Sequence, residues 1–206
     1  MFHGHLETIY PYLFRKVPSP LFERDRIDLP DGDFLDLDWC KNGNRRLLLL
    51  CHGLEGSSES IYIKGMTRAA TRRGWDVLAL NFRSCSGEMN RKLRMYHHGE
   101  IQDLTIVLDR ILEEDAYETI SLCGFSLGGN VILKYLGTLG SRVPLTVRSA
   151  VAISVPCDLA SSSKSLDAWD NFLYTRRFRK SLRKKFEEKN RMFPGTLELS
   201  DYDRVK

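Results

Sequence analysis

A serine between two glycines is the first place in this sequence where residue types and spacing could do chemistry. Residues 124 to 128 read Gly-Phe-Ser-Leu-Gly, with the apolar run TISLCGF leading into them and the helical pattern GGNVILKYLGTL following. A serine held on a sharp turn between a strand and a helix presents its hydroxyl to open space, where it can attack a carbonyl carbon. We therefore predict that Ser126 is a nucleophile.

The glycines at 124 and 128 belong to the same prediction. A Cβ atom at either position would collide with neighbouring backbone in so tight a turn. The helix N-terminus beneath the serine also favours negative charge as it develops. A serine that simply caps an ordinary helix is the alternative, but such a cap needs no glycines. Gly124 and Gly128 therefore favour the nucleophile turn.

Acyl transfer also needs two backbone N–H groups aimed at the oxygen of the tetrahedral intermediate. Leu127, directly after the serine, supplies the first candidate. The stretch LLLLCHGLEGSS supplies the second at Leu54, because a buried strand runs there into His52 and Gly53. Gly53 is expected to act through its backbone. His52 either braces this loop or transfers protons, and we favour bracing.

The elements that must position these residues alternate along the chain. DRIDLPDGDFLDLDW predicts a hairpin with its turn at Pro-Asp-Gly-Asp. Strands are predicted at RRLLLLC, WDVLALNF, TISLCGF and VRSAVAISV, and helices at 59–73, GEIQDLTIVLDRILEED and GGNVILKYLGTL. This alternation indicates an α/β fold, a mostly parallel sheet with helices on both faces.

Composition narrows the class of protein further. A chain of 206 residues with 42% hydrophobic and 28% charged residues is typical of one soluble globular domain, here 1–206. No apolar run approaches the roughly 20 residues that cross a bilayer, and the N-terminus lacks the layout of a secretory signal. Five cysteines without a CxxC pair predict neither a zinc ribbon nor a disulfide framework. We expect a cytoplasmic protein.

The segment after the last predicted strand is different in character. SSSKSLDAW is predicted to be a loop and NFLYTRRFRKSLRKKFEEKN a long amphipathic helix. Residues 176–191 hold nine Lys or Arg and two Glu, although the net charge of the whole chain is only +4. The helix is either a solvated lid helix or a weak contact for a membrane surface. We expect no nucleic-acid partner.

With both motifs placed, the chain resembles the α/β-hydrolase superfamily, and within it the YheT-like or EMB8-like branch (AB-hydrolase family 4). The stretches that carry the resemblance, in order, are HLETIYPYLFRK, HGLEGSSESIYIKGM, GWDVLALNFRSCSGEMNR, YHHGEIQDL and CGFSLGGNVILKYLG. The resemblance implies an α/β-hydrolase fold and a serine esterase or lipase-like acyl hydrolase, which acts on small or lipid-like carboxylic esters without a cofactor. It also implies Ser126 as the nucleophile, with Leu54 and Leu127 as the oxyanion donors.

The sequence departs from the family pattern in its catalytic triad. The family order is Ser, then Asp or Glu, then His, yet the histidines of this chain, at 3, 5, 52, 97 and 98, all precede Ser126. We therefore expect a truncated hydrolase that lacks its C-terminal third and ends in a lid-like segment, 157–206. The alternative function is a non-catalytic hydrolase shell that acts as a binding or scaffold protein.

Other residues could replace the missing ones. Asp158 follows the sixth strand and is either an acid or the cap of the next segment. His97 and His98 could approach the same face of the sheet as bases, and we expect no metal site because no Asp or Glu cluster stands at ligand spacing. If two strands are missing, VRSAVAISV becomes an exposed edge that could mediate self-association.

Overall fold

The computed structural model describes residues 14–166 and 172–197 of the chain, and the fold below is that of these residues. Most of HLETIYPYLFRK lies outside them, as do residues 167–171 and 198–206 of the predicted lid-like segment. The division into one domain over 1–206 therefore stays a prediction.

Six strands form one mixed sheet in the described part of the chain. They are β1 (Glu23–Asp28), β2 (Phe34–Cys40), β3 (Arg46–Cys51), β4 (Asp76–Asn81), β5 (Thr119–Phe125) and β6 (Val147–Ile153). Their order is β1-β2-β4-β3-β5-β6. The pairs β1–β2 and β2–β4 are antiparallel, and β4–β3, β3–β5 and β5–β6 are parallel. The predicted mostly parallel sheet is confirmed.

Five helices accompany the sheet among the described residues. They are α1 (Ile61–Thr71), α2 (Gln102–Glu113), α3 (Leu127–Leu139), α4 (Leu159–Leu166) and α5 (Phe172–Met192), and a short 3-10 turn follows α3 at Gly140–Arg142. No helix of the described ranges has the length and apolar character that a bilayer crossing requires. Hairpin, strands and the first three helices all stand where the sequence predicts them.

The loop predicted for SSSKSLDAW is wrong where the structure describes it, because α4 covers its first residues. Serine is a poor residue for a helix interior, since its hydroxyl competes for backbone partners. Here the Asp158 carboxylate accepts hydrogen bonds from the amides of Ala160 and Ser161, both at 3.1 Å. The Ser162 hydroxyl turns back to the Asp158 carbonyl at 2.7 Å. These capping bonds satisfy the first turn and outweigh the weak propensity.

The hydrophobic core lies on both faces of the sheet, as alternation along a strand requires. Leu47 and Leu49 of β3 point into the cluster that contains α2 and α3, whereas Leu50 points into the cluster with Ile63 of α1. All four side chains are almost completely buried. Helices therefore pack on both faces of β3, and the loop after β3 begins at a well-packed strand.

Strand β6 ends the described sheet and differs from the interior strands. Every residue of β4 is buried, whereas four successive residues of β6, from Arg148 to Val151, are exposed. Val151 alone is 54% exposed. The prediction that VRSAVAISV forms a sheet edge is confirmed for the part of the chain that the structure describes.

Candidate active site

Ser126 occupies a strained turn between β5 and α3. Its backbone angles are φ 50° and ψ −115°, a combination that costs a non-glycine residue on the order of 1–3 kcal/mol. The turn is held because the Ser126 amide donates to the Ile153 carbonyl at 2.8 Å and the Ser126 carbonyl accepts from the Asn130 amide at 3.1 Å. The hydroxyl contacts no hydrogen-bond partner among the described residues. It is therefore available to a substrate.

Close backbone approach explains the glycines around the serine. A Cβ on Gly124 would stand 2.5 Å from the Gly128 carbonyl group, and a Cβ on Gly128 would stand 2.5 Å from the His52 carbonyl oxygen. Real Cβ atoms do not come this close to backbone, so neither position accepts a side chain without rearrangement. The same approach brings the start of α3 against the loop that follows β3.

That loop is the predicted second half of an oxyanion site, and it lies beside the serine. A Cβ on Gly53 would be 3.4 Å from the Ser126 Cβ. Within the described ranges the amides of Leu54 and Leu127 donate to no acceptor, and for Leu127 this is normal because it is the first residue of α3. The structure thus brings together the loop and the serine turn that the sequence analysis selected. Their roles in catalysis stay predictions.

His52 is built into the loop and is 1% exposed. Its Nδ1–H donates to the Gly53 carbonyl at 2.7 Å and its Nε2 accepts from the Phe82 amide at 3.2 Å. Burial lowers the pKa of the imidazole to about 4. A neutral ring with both nitrogens engaged by backbone has the contacts of a bracing residue.

Tyr62, at the start of α1, is a site residue that the sequence analysis missed. Its hydroxyl accepts a hydrogen bond from the Gly53 amide at 3.0 Å, and its ring packs on Phe125 with 4.7 Å between centroids. Nothing in the sequence marks this tyrosine, because an aromatic residue on a helix usually packs in a core. Only the fold shows that it joins the two halves of the site.

Glu55, which directly follows Leu54, was also missed. It has φ 55°, and its carboxylate is bound by Tyr96 and by two side chains of α5. Ion pairs between residues so far apart in the chain leave no signature in a single sequence. The distant partners place α5 against the loop after β3.

The structure also describes the three remaining candidates, His97, His98 and Asp158. His97 Nδ1 accepts from the Gly99 amide at 3.1 Å, and neither His97 nor His98 hydrogen-bonds Ser126. Burial, followed by the neighbouring His97, lowers the pKa of His98. Asp158 caps α4 with an exposed carboxylate. Catalytic roles for these three residues stay predictions.

Comparison with known proteins shows the family to which this sequence is related. A family model described as the alpha/beta hydrolase fold matches residues 46–196. The esterase-named protein YheT of Escherichia coli (strain K12) is 36% identical over 200 residues, which are 95% of this chain and 58% of that protein. Embryogenesis-associated protein EMB8 of Picea glauca is 28% identical over 209 residues, 95% of this chain and 45% of that protein.

A third relative is phospholipase ABHD3 of Homo sapiens, 28% identical over 179 residues that cover 82% of this chain and 43% of that protein. The chain therefore spans about half the length of the curated relatives it matches. Among solved structures, the Pyrococcus furiosus esterase Pf2001 superposes with a TM-score of 0.62 at 24% identity, over 89% of this chain and 66% of that one. This likeness concerns the fold.

Proposed function

The chain belongs to the α/β-hydrolase family, in the branch of YheT and EMB8, and from that membership we propose that it carries the nucleophile of a serine hydrolase that cleaves carboxylic esters. The single observation that carries the proposal is the strained turn at Ser126. Strain in the backbone of a folded protein is retained where a function needs it. A serine hydroxyl on such a strand-to-helix turn has the geometry of a nucleophile.

The chemistry follows from the serine hydroxyl and the two candidate oxyanion amides. Ser126 Oγ would attack the ester carbonyl carbon and form a tetrahedral intermediate, which collapses to an acyl-serine as the alcohol leaves. The amides of Leu54 and Leu127 would donate to the oxygen that becomes negative, which lowers the barrier without any rearrangement. Water then releases the acid and restores the serine.

The hydroxyl proton needs an acceptor when Ser126 attacks. His52 is committed to backbone partners on both ring nitrogens, so it is a poor acceptor. His97 and His98 are the remaining histidines of the described chain, and Asp158 is the candidate acid. We propose these three residues as the ones to substitute if this chain turns over substrate by itself.

A small or lipid-like ester is the substrate class that we propose. The names of two relatives point in this direction, since YheT is named an esterase and ABHD3 a phospholipase. The rings of Tyr62 and Phe125 pack on each other, and Phe125 directly precedes Ser126. Aromatic side chains near the serine favour the apolar acyl or alkyl part of an ester.

A binding or scaffold function is the second candidate. It is favoured by one observation, that no residue of the described ranges accepts a hydrogen bond from Ser126 Oγ. A serine without a base is a weak nucleophile at neutral pH. The hydrolase shell would then bind an ester or a partner without cleaving it.

We propose three further properties. The protein resides in the cytoplasm. The basic segment 176–191 makes weak contacts with anionic lipid, and the exposed edge at β6 mediates self-association. Nucleic acid is not among the proposed partners.

Labelling with a fluorophosphonate probe tests the proposed function. The probe forms an O–P bond with an activated serine and releases fluoride, so the mass of the labelled peptide identifies the residue. Purified wild-type chain is compared with Ser126→Ala, and hydrolysis of short p-nitrophenyl esters is followed in parallel. We expect labelling at Ser126 that disappears in the alanine variant, and ester turnover that the same variant loses. Folded protein without labelling or turnover would favour the binding function.

A further inference from the structure

One carboxylate connects α5 with the loop that follows β3. The Glu55 side chain is 6% exposed, and its Oε1 lies 2.9 Å from Lys185 Nζ. Its Oε2 accepts a hydrogen bond from the hydroxyl of Ser181. Both partners belong to α5, more than 120 residues further along the chain. A solvated surface pair would not be this enclosed, so the contact is part of the packing between the two elements.

Tyr96 fixes the backbone of the same residue. Its hydroxyl donates to Glu55 Oε1 at 2.6 Å and accepts from the Glu55 amide at 2.9 Å. The backbone of Glu55 is held at φ 55°, which is unusual for a glutamate and costs on the order of 1–3 kcal/mol. Such a conformation persists only when surrounding contacts over-determine it. Here the contacts are those of Tyr96 and α5.

The turn that contains Glu55 also contains the candidate oxyanion donor. The Gly56 amide donates to the Gly53 carbonyl at 3.0 Å, which closes a four-residue turn with Leu54 and Glu55 at its centre. A positive φ at the third residue of a turn is the conformation that glycine usually supplies. If the contacts to its side chain were lost, Glu55 would relax to a negative φ. Leu54, its neighbour in the same turn, would move with it.

Charge keeps this connection in place at neutral pH. Burial alone would raise the pKa of the Glu55 carboxyl, but hydrogen bonds from Lys185, Ser181 and Tyr96 outweigh burial and hold the pKa below its ordinary value. The carboxylate is therefore ionised when the protein is folded at neutral pH. A charged, enclosed partner makes the contact with Lys185 stronger than an exposed ion pair.

Polar contacts, including those with Glu55, hold α5 in its packed position, which we call its seat. Ser181, Lys185 and Lys189 are spaced four residues apart, so they lie on one face of the helix. The Lys189 ammonium donates to the Asn90 carbonyl at 2.6 Å and to the Lys92 carbonyl. Three successive turns of α5 are thus attached to the body of the sheet by polar side chains. The Glu55 contacts are two of these attachments.

We infer that Glu55 is a positioning residue, which couples the seating of α5 to the orientation of the Leu54 amide. The inference rests on the proposed function, because the orientation of this amide affects catalysis only if it stabilises an oxyanion. With Lys185 and Ser181 in contact, Glu55 keeps its positive φ, and the turn holds the Leu54 amide next to Gly53, where a Cβ would be 3.4 Å from the Ser126 Cβ. When α5 leaves its seat, the turn relaxes and the donor is lost.

Lys185→Met tests this coupling, because methionine keeps the apolar stem and removes the charge. Lys184→Met is the matched control, since Lys184 is an exposed neighbour on α5 without a contact to Glu55. Lys185→Arg is the conservative variant. Two measurements are made on each folded variant: hydrogen–deuterium exchange of the peptide that contains residues 53–56, and the rate at which fluorophosphonate labels Ser126.

We expect Lys185→Met to raise the exchange rate of that peptide and to slow labelling by about tenfold, somewhat less than the loss of a whole oxyanion donor. Lys184→Met should change neither value, and Lys185→Arg should recover most of both. Unchanged exchange in Lys185→Met would overturn the inference, as would faster exchange with an unchanged labelling rate.

The two proposals can fail separately. If wild-type protein is not labelled at all, the proposed function fails, whereas exchange still decides whether α5 holds the turn. If Lys185→Met does not fold, Ser181→Ala removes a single hydroxyl from Glu55 and is measured in the same way. Equal exchange in Ser181→Ala and wild type would then count against the coupling.

Discussion

Tyr62 accepts a hydrogen bond from the amide of Gly53 at 3.0 Å, and the same side chain packs on Phe125. Gly53 belongs to the loop after β3 and Phe125 directly precedes Ser126. One residue of α1 therefore holds both halves of the candidate site at a fixed separation. Contacts of this kind, from a rigid helix to two neighbouring loops, fix the relative positions of the residues in a site.

Tyr62→Phe should lower the free energy of unfolding by about 1–2 kcal/mol, because the buried Gly53 amide loses its acceptor. Labelling of Ser126 by fluorophosphonate should slow at the same time, since the loop is no longer fixed beside the serine. Urea unfolding and labelling rates measure the two effects. Tyr62→Phe keeps the ring and its contact with Phe125, so any change in the two measurements comes from the lost hydroxyl. A variant with wild-type values in both measurements would show that the hydrogen bond is dispensable.

Gly128→Ala should destabilise the protein by about 2–3 kcal/mol, because the new methyl group collides with the carbonyls of Cys51 and His52. Gly137→Ala, in the same helix α3, is the matched control. No atom lies within 4 Å of a Cβ placed there, so alanine should stabilise the helix by up to about 1 kcal/mol. Denaturant unfolding of both variants gives the comparison. If Gly128→Ala were as stable as Gly137→Ala, the serine turn would accommodate a methyl group and the explanation from close backbone approach would be wrong.

Much of this arrangement follows from the sequence alone. Buried strands read as apolar runs, and Gly124 and Gly128 stand two residues either side of Ser126, so the position of the serine turn could be predicted. The loop at Gly53 follows from the end of β3. These features are local, and each is specified by a few neighbouring residues.

The parts that could not be predicted depend on contacts across the fold. Glu55 meets Lys185 only because α5 packs beside the loop after β3, and neither residue type indicates the other. Tyr62 looks like an ordinary core aromatic until Gly53 is seen to donate to it. The sequence predicts a loop where α4 forms, because a run of serines disfavours a helix interior and the stabilising cap by Asp158 is visible only in the fold.

The buried imidazole of His52 makes stability depend on pH in a defined window. The folded pKa is lowered to about 4 by burial, compared with an ordinary value near 6.5. As pH falls below about 6.5, His52 becomes protonated in the unfolded state but stays neutral in the folded state until the pH approaches 4. Stability is therefore lost from about pH 6.5 down to about pH 4, on the order of 2 kcal/mol between pH 7 and pH 5.

His52→Gln tests the assignment of that pH dependence. The variant should be less stable at pH 7, because the bonds to Gly53 and Phe82 are altered, but its stability should change much less between pH 7 and pH 5. Urea unfolding at the two pH values gives the difference. If the variant keeps the wild-type slope, another group is responsible for the titration.

The exposed edge at β6 predicts self-association that a charge can block. An open edge strand offers unpaired backbone groups to another chain, and a lysine on the edge discourages this pairing. Val151→Lys should therefore lower the weight-average mass in sedimentation velocity experiments at high protein concentration. Thr138→Lys, which adds the same charge on the exposed side of α3, should not. A wild-type protein that stays monomeric over the same range would refute the proposed self-association.

Outward-facing cations of α5 predict binding to anionic lipid. Arg176, Lys180 and Lys184 are exposed, whereas Lys185 and Lys189 are used in contacts with the body of the protein. A lysine near an anionic surface contributes about 1 kcal/mol, so Lys180→Gln combined with Lys184→Gln should weaken binding to phosphatidylserine-containing vesicles by about 10- to 30-fold. Vesicle co-sedimentation at low salt measures this.

The lipid experiment needs a control of equal charge. Lys16→Gln combined with Lys134→Gln removes two exposed lysines elsewhere and should leave the binding within about twofold of wild type. Added salt should weaken the wild-type binding, because screening shortens the range of the attraction to about 8 Å at 0.15 M. Binding that is equal on neutral phosphatidylcholine vesicles, or that the α5 variant keeps, would mean that these cations form only a solvated helix face.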